Sequence, residues 1–206
     1  MSKRYLIALS IMILIVVGCS ESVQTINPVV ELTTTMGTIK VELYIEEAPV
    51  SVTNFMEYVE SSFYDSTIIH RVIPDFIIQG GQHKIDLTKK ETNSPIVCES
   101  DNGLLNLCGT IAVARGAEPN SGTSQYFINL VDNPALNKIN DTYAFGYAVF
   151  GHVIEGMNVV DAIASVPTST QQTPDEITMK DVPITPVIVL SARCIEYERW
   201  VFYEDR

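Results

Sequence analysis

The run IIHRVIPDFIIQGG, from Ile68 to Gly81, decides how this chain is read. It sets Arg71 and Gln79 among Ile, Val and Phe side chains, and Pro74-Asp75 interrupts its middle. Apolar runs this short, bounded by Pro, Asp and Gly, have strand length and not helix length. Arg71, Ile73 and Gln79 share parity, so on extended stretches they project to the same side. A second run, GTIAVARGAEPNSGTSQYFINL from Gly109 to Leu130, reads as strand, loop and strand, with Gln125 and Phe127 on one face. A cation, two amides and several large apolar groups thus outline a candidate binding surface. The same residues also fit a plain reading, in which the arginine makes a solvated ion pair and Phe76 and Phe127 are core.

Outward from these runs, short segments recur between turn residues. Val29–Thr34 and Thr38–Leu43 flank Met36-Gly37, and Ile39, Val41 and Leu43 alternate with Lys40 and Glu42 as in a half-buried strand. Thr67–Val72, Phe76–Gln79, Tyr147–Val153 and Val187–Arg193 are further strand candidates. Two segments have helical spacing. After Pro49 come Val52, Phe55, Met56 and Val59; between Gly156 and Ser165 lie Met157, Val160 and Ile163. Residues 167–186 hold four of the ten prolines and read as a surface loop. Many short strands with few helices predict an antiparallel barrel or sandwich in a single domain.

Composition removes several function classes. The chain has 206 residues and a formal net charge of −12, which disfavours a nucleic-acid partner that must be met by clustered cations. Four cysteines are too few for a disulfide scaffold. His70, His83 and His152 have no zinc-ligand spacing, so no metal site is expected. Neither a Gly-rich phosphate loop nor a nucleophile elbow occurs.

The N-terminus reads as an address. Lys3 and Arg4 precede an apolar run from Tyr5 to Val17 that suits a signal peptide better than a membrane span. Its exit, Val16-Val17-Gly18-Cys19, resembles the bacterial lipobox, which makes Cys19 the expected lipidation site. The predicted organisation is a signal peptide over 1–18, a lipidated tether over 19–28, a folded domain over 29–193 and a C-terminal extension over 194–206. Acyl chains would hold the protein on the periplasmic side of a membrane, the outer one by the absence of aspartate after Cys19. The polar tether reaches only about 15 Å.

The strings HRVIP-x-F-IIQGG, GTIAVAR and TSQYFIN, followed by FGYAVFGHVIEGMNVVDAI from Phe145 to Ile163, closely resemble the cyclophilin family of peptidyl-prolyl cis-trans isomerases, in particular its bacterial periplasmic branch. The resemblance runs from about Val29 to Ala192. It implies a closed eight-stranded antiparallel barrel capped by two α-helices, and an isomerase that needs no cofactor. It makes Arg71 the catalytic arginine, supported by Gln79. Phe76, Ile77, Phe127 and Leu136 would surround the proline, with Gln79 and Gln125 as polar contacts; His70 and Tyr147 fall at active-site positions, and Ile73 is counted with the substrate-binding residues. The backbone of Ala114 and Arg115 would pair with the peptide. Expected partners are proline-containing unfolded or extended polypeptides, bound by a monomer.

Three positions depart from the family pattern. Ile69 stands where phenylalanine is usual and Ile77 where methionine is usual. Ala135 replaces a large aromatic that packs on ligands, including the family's cyclic-peptide inhibitor cyclosporin. A domain with weak turnover that holds proline-containing segments in the manner of a chaperone is therefore the alternative function. Once Cys19 carries lipid, Cys98, Cys108 and Cys194 remain; Cys98–Cys108 is the pair that would form a disulfide, and free thiols are the alternative.

Overall fold

A computed structural model describes residues 27–138 and 145–196. The signal peptide, Cys19 and most of the tether therefore lie outside the described residues, as does the C-terminal extension beyond Glu196. The elements are β1 (Val29–Thr34), β2 (Gly37–Leu43), α1 (Pro49–Glu60), β3 (Thr67–Ile69), β4 (Arg71–Ile73), β5 (Ile77–Gly80), β6 (Thr110–Val113), β7 (Tyr126–Asn129), β8 (Val149–Glu155), α2 (Met157–Ala164), β9 (Thr168–Gln172), β10 (Thr178–Pro183) and β11 (Val187–Glu196).

Nine strands form one antiparallel sheet in the order β3-β11-β1-β2-β8-β6-β7-β5-β4. Its two outermost strands, β3 and β4, are consecutive in sequence and separated only by His70. β3 pairs with β11 on one side, while the Ile68 amide donates to the His83 carbonyl (2.9 Å) and the His70 amide to the Gln79 carbonyl (3.0 Å) on the other. The sheet therefore closes on itself through one run of chain. With β3 and β4 taken as that single run, the barrel has the expected eight strands. The chain turns over at His70: Ile69 and Val72 both enter the inner core, whereas regular alternation would place them on opposite faces.

Closing the sheet buries its inner face. Leu32, Ile39, Val41, Ile78, Ile111, Ile128 and Phe150 fill it, together with Val52, Phe55, Met56 and Val59 of α1 and Val160 and Ile163 of α2. Since the wall is closed, the helices reach this core only through the barrel's ends. Phe55 seats its ring 5.1–5.6 Å from the centroids of Tyr64, Tyr126 and Phe150, an aromatic nucleus with tilted and edge-on contacts. The first turn of α1 lacks a side-chain cap of its own, and the distant Glu99 supplies one. Its carboxylate accepts from the amides of Val50 and Ser51 and from the Ser51 hydroxyl, at 2.7–3.0 Å.

Two expectations are corrected. Residues 167–186 are not a plain loop, because β9 and β10 pair as an antiparallel hairpin within them. Its prolines stand at strand ends and outside the strands, where a missing amide hydrogen interrupts no central ladder. Cys98 and Cys108 are free thiols, not a disulfide. The Cys98 sulfur faces the Phe145 carbonyl and that of Cys108 the Leu130 carbonyl, so neither is aimed at the other.

Candidate active site

The outer face of the β4–β5–β7–β6 wall carries the residues singled out above. Pro74-Asp75 does not merely interrupt an extended strand; it turns the chain back. Pro74 fits the first corner of the turn, Asp75 takes a left-handed φ of 55°, and the Phe76 amide donates to the Ile73 carbonyl at 3.2 Å. The resulting hairpin places Arg71 opposite Gln79 and Ile73 opposite Ile77. Arg71 and Gln79 share a face as cross-strand neighbours, not as distant positions on one strand. The register continues with Gln79 opposite Phe127 on β7 and Ala112 on β6 opposite Phe127. Gly81 ends the hairpin with a φ of +99°, and a Cβ there would lie 2.6 Å from the Ser124 carbonyl oxygen.

These pairings assemble a compact apolar patch. Ile77, Ala112, Ala114, Phe127 and Val149 are buried, and Phe76, Leu104, Leu136 and Tyr147 are half-buried against them. Phe127 and Tyr147 meet edge to face at 5.5 Å. The Arg115 guanidinium lies 4.6 Å from the centre of the Tyr147 ring and donates to the Gly146 carbonyl through Nε (2.9 Å) and Nη2 (2.7 Å). Arg115 is thereby a brace for the ring. The Ala114 amide donates to the Gln125 carbonyl at 2.9 Å within the sheet. Ala135 is exposed on the short helical turn Pro134–Leu136, so the rim beside Leu136 has no large side chain.

Arg71 stands half-buried at the polar edge of the patch. Its Nη1 donates to Gln79 Oε1 at 3.3 Å, and Gln79 Nε2 donates to Gln125 Oε1 at 2.8 Å. Among the described residues the guanidinium makes no carboxylate ion pair. The plain surface-ion-pair reading is thus not met, and the positive charge stays available beside an apolar surface.

His70 is placed differently from the rest. It is 3% exposed and lies beneath the site, its ring 4.3 Å from that of the equally buried His83. Burial, reinforced by the neighbouring His83, lowers the His70 pKa to about 3, and burial lowers that of His83 to about 4. Both are neutral packing groups at ordinary pH.

Sequence reasoning missed the supports of this surface. Asn106, 1% exposed, donates its side-chain amide towards the carbonyls of Leu136 (3.2 Å) and Tyr147 (3.3 Å), binding two walls together. Asn133 donates to the Phe76 carbonyl at 3.0 Å and to Asn129 Oδ1 at 2.8 Å. Asparagines in turn-rich segments look like loop residues, and only their burial marks them as struts. Gln82, directly after Gly80-Gly81, was also overlooked.

Comparison with known proteins agrees with this fold. Residues 29–189 match the family described as cyclophilin type peptidyl-prolyl cis-trans isomerase/CLD. A peptidyl-prolyl cis-trans isomerase of Acinetobacter baylyi is 50% identical over 167 residues, covering 81% of this chain and 85% of that protein. Peptidyl-prolyl cis-trans isomerase A of Dickeya dadantii is 44% identical over 196 residues, covering 95% of this chain and all of that protein. The crystal structure of a Cryptosporidium parvum cyclophilin-type isomerase superposes with a TM-score of 0.67 at 25% identity, over 84% of this chain and 99% of that one. By the extent of the family match and the identity to these bacterial relatives, this chain belongs to the cyclophilin-type peptidyl-prolyl cis-trans isomerases.

Proposed function

We propose that the isomerase activity resides on the outer face of the β4–β5–β7–β6 wall, with Arg71 as the catalytic residue. The observation that carries this reading is a guanidinium held by an amide instead of a carboxylate, at the edge of an apolar patch. Amide resonance sets a barrier of about 18–20 kcal/mol to rotation of a peptide bond, and uncatalysed X-Pro exchange takes tens to hundreds of seconds. As the bond twists, resonance is lost and the prolyl nitrogen regains a lone pair. A donor aimed at that lone pair bonds it only in the twisted state, so it lowers the barrier without stabilising the planar ground state. Phe76, Ile77, Phe127 and Leu136 would hold the ring while the preceding carbonyl swings. No proton is transferred, which agrees with a neutral His70 packed beneath the site.

The test uses the full-length chain and a proline-containing peptide. Arg71→Ala should reduce kcat about 10- to 100-fold, the equivalent of losing one charged hydrogen bond of about 1.5–3 kcal/mol. Peptide affinity should change much less. Undiminished turnover in a folded Arg71→Ala protein would rule the assignment out. The exposed Ala135 rim favours one second reading, a weakly catalytic holder of proline-containing segments; slow exchange by the wild-type protein with intact peptide binding would support it.

The setting is the other half of the proposal. Lys3-Arg4, the apolar run and the Val-Val-Gly-Cys exit support an exported lipoprotein acting close to a membrane. Among the described residues no helix is long and apolar enough to cross one. Cys19→Ser should leave the protein unprocessed or move it to the soluble fraction; a membrane-bound mutant of mature mass would contradict lipid anchoring.

A further inference from the structure

The hydrogen bonds that hold Arg71 do not end at Gln125. Gln125 Nε2 donates to Gln82 Oε1 at 2.6 Å, and Gln82 Nε2 donates to the backbone carbonyl of Lys90 at 3.2 Å. Four links therefore run in one direction, from the guanidinium through Gln79, Gln125 and Gln82 to a main-chain oxygen. Each glutamine receives on its oxygen and gives from its nitrogen. An amide can present either end to a neighbour, so no glutamine sets the sense of the chain alone. The guanidinium can only donate and the Lys90 carbonyl can only accept, so the two ends fix one sense for all three, and the Lys90 end acts through Gln82.

That carbonyl is itself pinned. The Lys90 amide donates back to the Gln82 carbonyl at 3.1 Å, and the Lys90 ammonium donates to the carbonyls of Phe63 (2.6 Å) and Asp65 (2.9 Å). The same ammonium lies 5.3 Å from the centre of the Phe63 ring. Burial lowers the Lys90 pKa, as expected of an ammonium engaged with backbone oxygens. The far end of the relay is thus part of the scaffold, not a mobile side chain.

We propose that Gln82 is a positioning residue for the isomerase reaction, setting the orientation of Gln125 and Gln79 so that an oxygen and not an NH2 group faces Arg71. This rests on the catalytic reading of Arg71. Reversing the relay would turn the Gln79 NH2 towards the guanidinium, two donors facing each other, and would displace the cation from the attitude in which it meets the prolyl nitrogen. Because the effect acts on a group used in the twisted state, it should appear in kcat more than in KM.

Variants of opposite hydrogen-bonding sense test this in the full-length chain. Gln82→Glu still offers an oxygen to Gln125 and keeps the sense of the chain; kcat should fall no more than about threefold. Gln82→Lys offers only donors and forces reversal; kcat should fall about tenfold, the loss of roughly one net hydrogen bond of 1.4 kcal/mol, with KM within about twofold. Gln82→Met, of similar length and unable to bond, should fall between them. Repeating the series at high salt screens the charge differences but not the bonding sense. Nitrogen-edited NMR of the Gln79 side-chain amide supplies a reading independent of turnover, and it should move in Gln82→Lys far more than in Gln82→Glu. Equal losses in all three variants, or a Gln79 amide unmoved in Gln82→Lys, would overturn the proposal. An active Arg71→Ala protein measured alongside would instead remove the catalytic reading, while the amide shifts still report on the relay.

Discussion

The two faces of the β4–β5–β7–β6 wall are made by the same strands and serve opposite ends. Along β5, Ile78 points into the closed core while Ile77 and Gln79, on either side of it, point to the site. Along β7, Tyr126 and Ile128 face inward and Phe127 outward. The inner face is aromatic and aliphatic, and its aliphatic residues are interchangeable in principle with others of like volume. The outer face holds a comparable apolar patch but edges it with a cation, three amides and buried asparagine struts. One strand pairing thus gives both a rigid support and a surface where charge can be held beside a proline ring. On the proposed reading, stability comes mainly from one side of the wall and chemistry from the other.

Matched truncations would break or sharpen that division. Phe55→Ala removes the centre of the inner aromatic nucleus and should cost about 3–5 kcal/mol of stability. The folded fraction should nonetheless keep its turnover per molecule, as denaturant titration and active-fraction kinetics would reveal. Arg71→Ala should do the reverse, with kinetic loss and a melting temperature close to wild type. If both variants lose stability and turnover together, the faces are not separable.

A smaller effect concerns the two histidines under the site. His70 and His83 have folded pKa values near 3 and 4, below the ordinary 6.5. The unfolded chain therefore binds more protons than the folded one between those limits. Stability should be complete above about pH 6.5 and fall as pH drops through the window towards 4, by about 2 kcal/mol for His70 on reaching pH 5. His83→Phe should flatten the profile. A slope unchanged by that substitution would show that the imidazoles are not its source.

The smallest effect is expected at the rim. Ala135→Trp should restore an aromatic beside Leu136 and tighten binding of cyclosporin or a proline peptide, by about 0.5–1.5 kcal/mol for one aromatic contact. Calorimetric titration of both forms measures it. Equal affinities would mean that position 135 does not border the bound ligand.

Much of this was legible in the order of residues. Alternation in β2, helical spacing in α1 and α2, and the Pro-Asp break after Ile73 are local signals, because strand and helix periodicities and turn chemistry act over a few neighbours. The strings around Arg71 and Phe127 carried the family for the same reason. What needed the tertiary structure was everything set by partners far along the chain. The Pro-rich segment 167–186 looked like loop because proline penalises a sheet interior, yet a two-stranded edge hairpin tolerates it. The barrel closes at His70, and this histidine sits under the surface, because one run of chain must pair with β11 on one side and β5 on the other. Gln82, Asn106 and Asn133 became supports of the site only when folding brought their amides to oxygens that sequence distance hides. Periodicity is a property of neighbours, whereas burial and the sense of a hydrogen-bond chain are properties of the whole packed molecule.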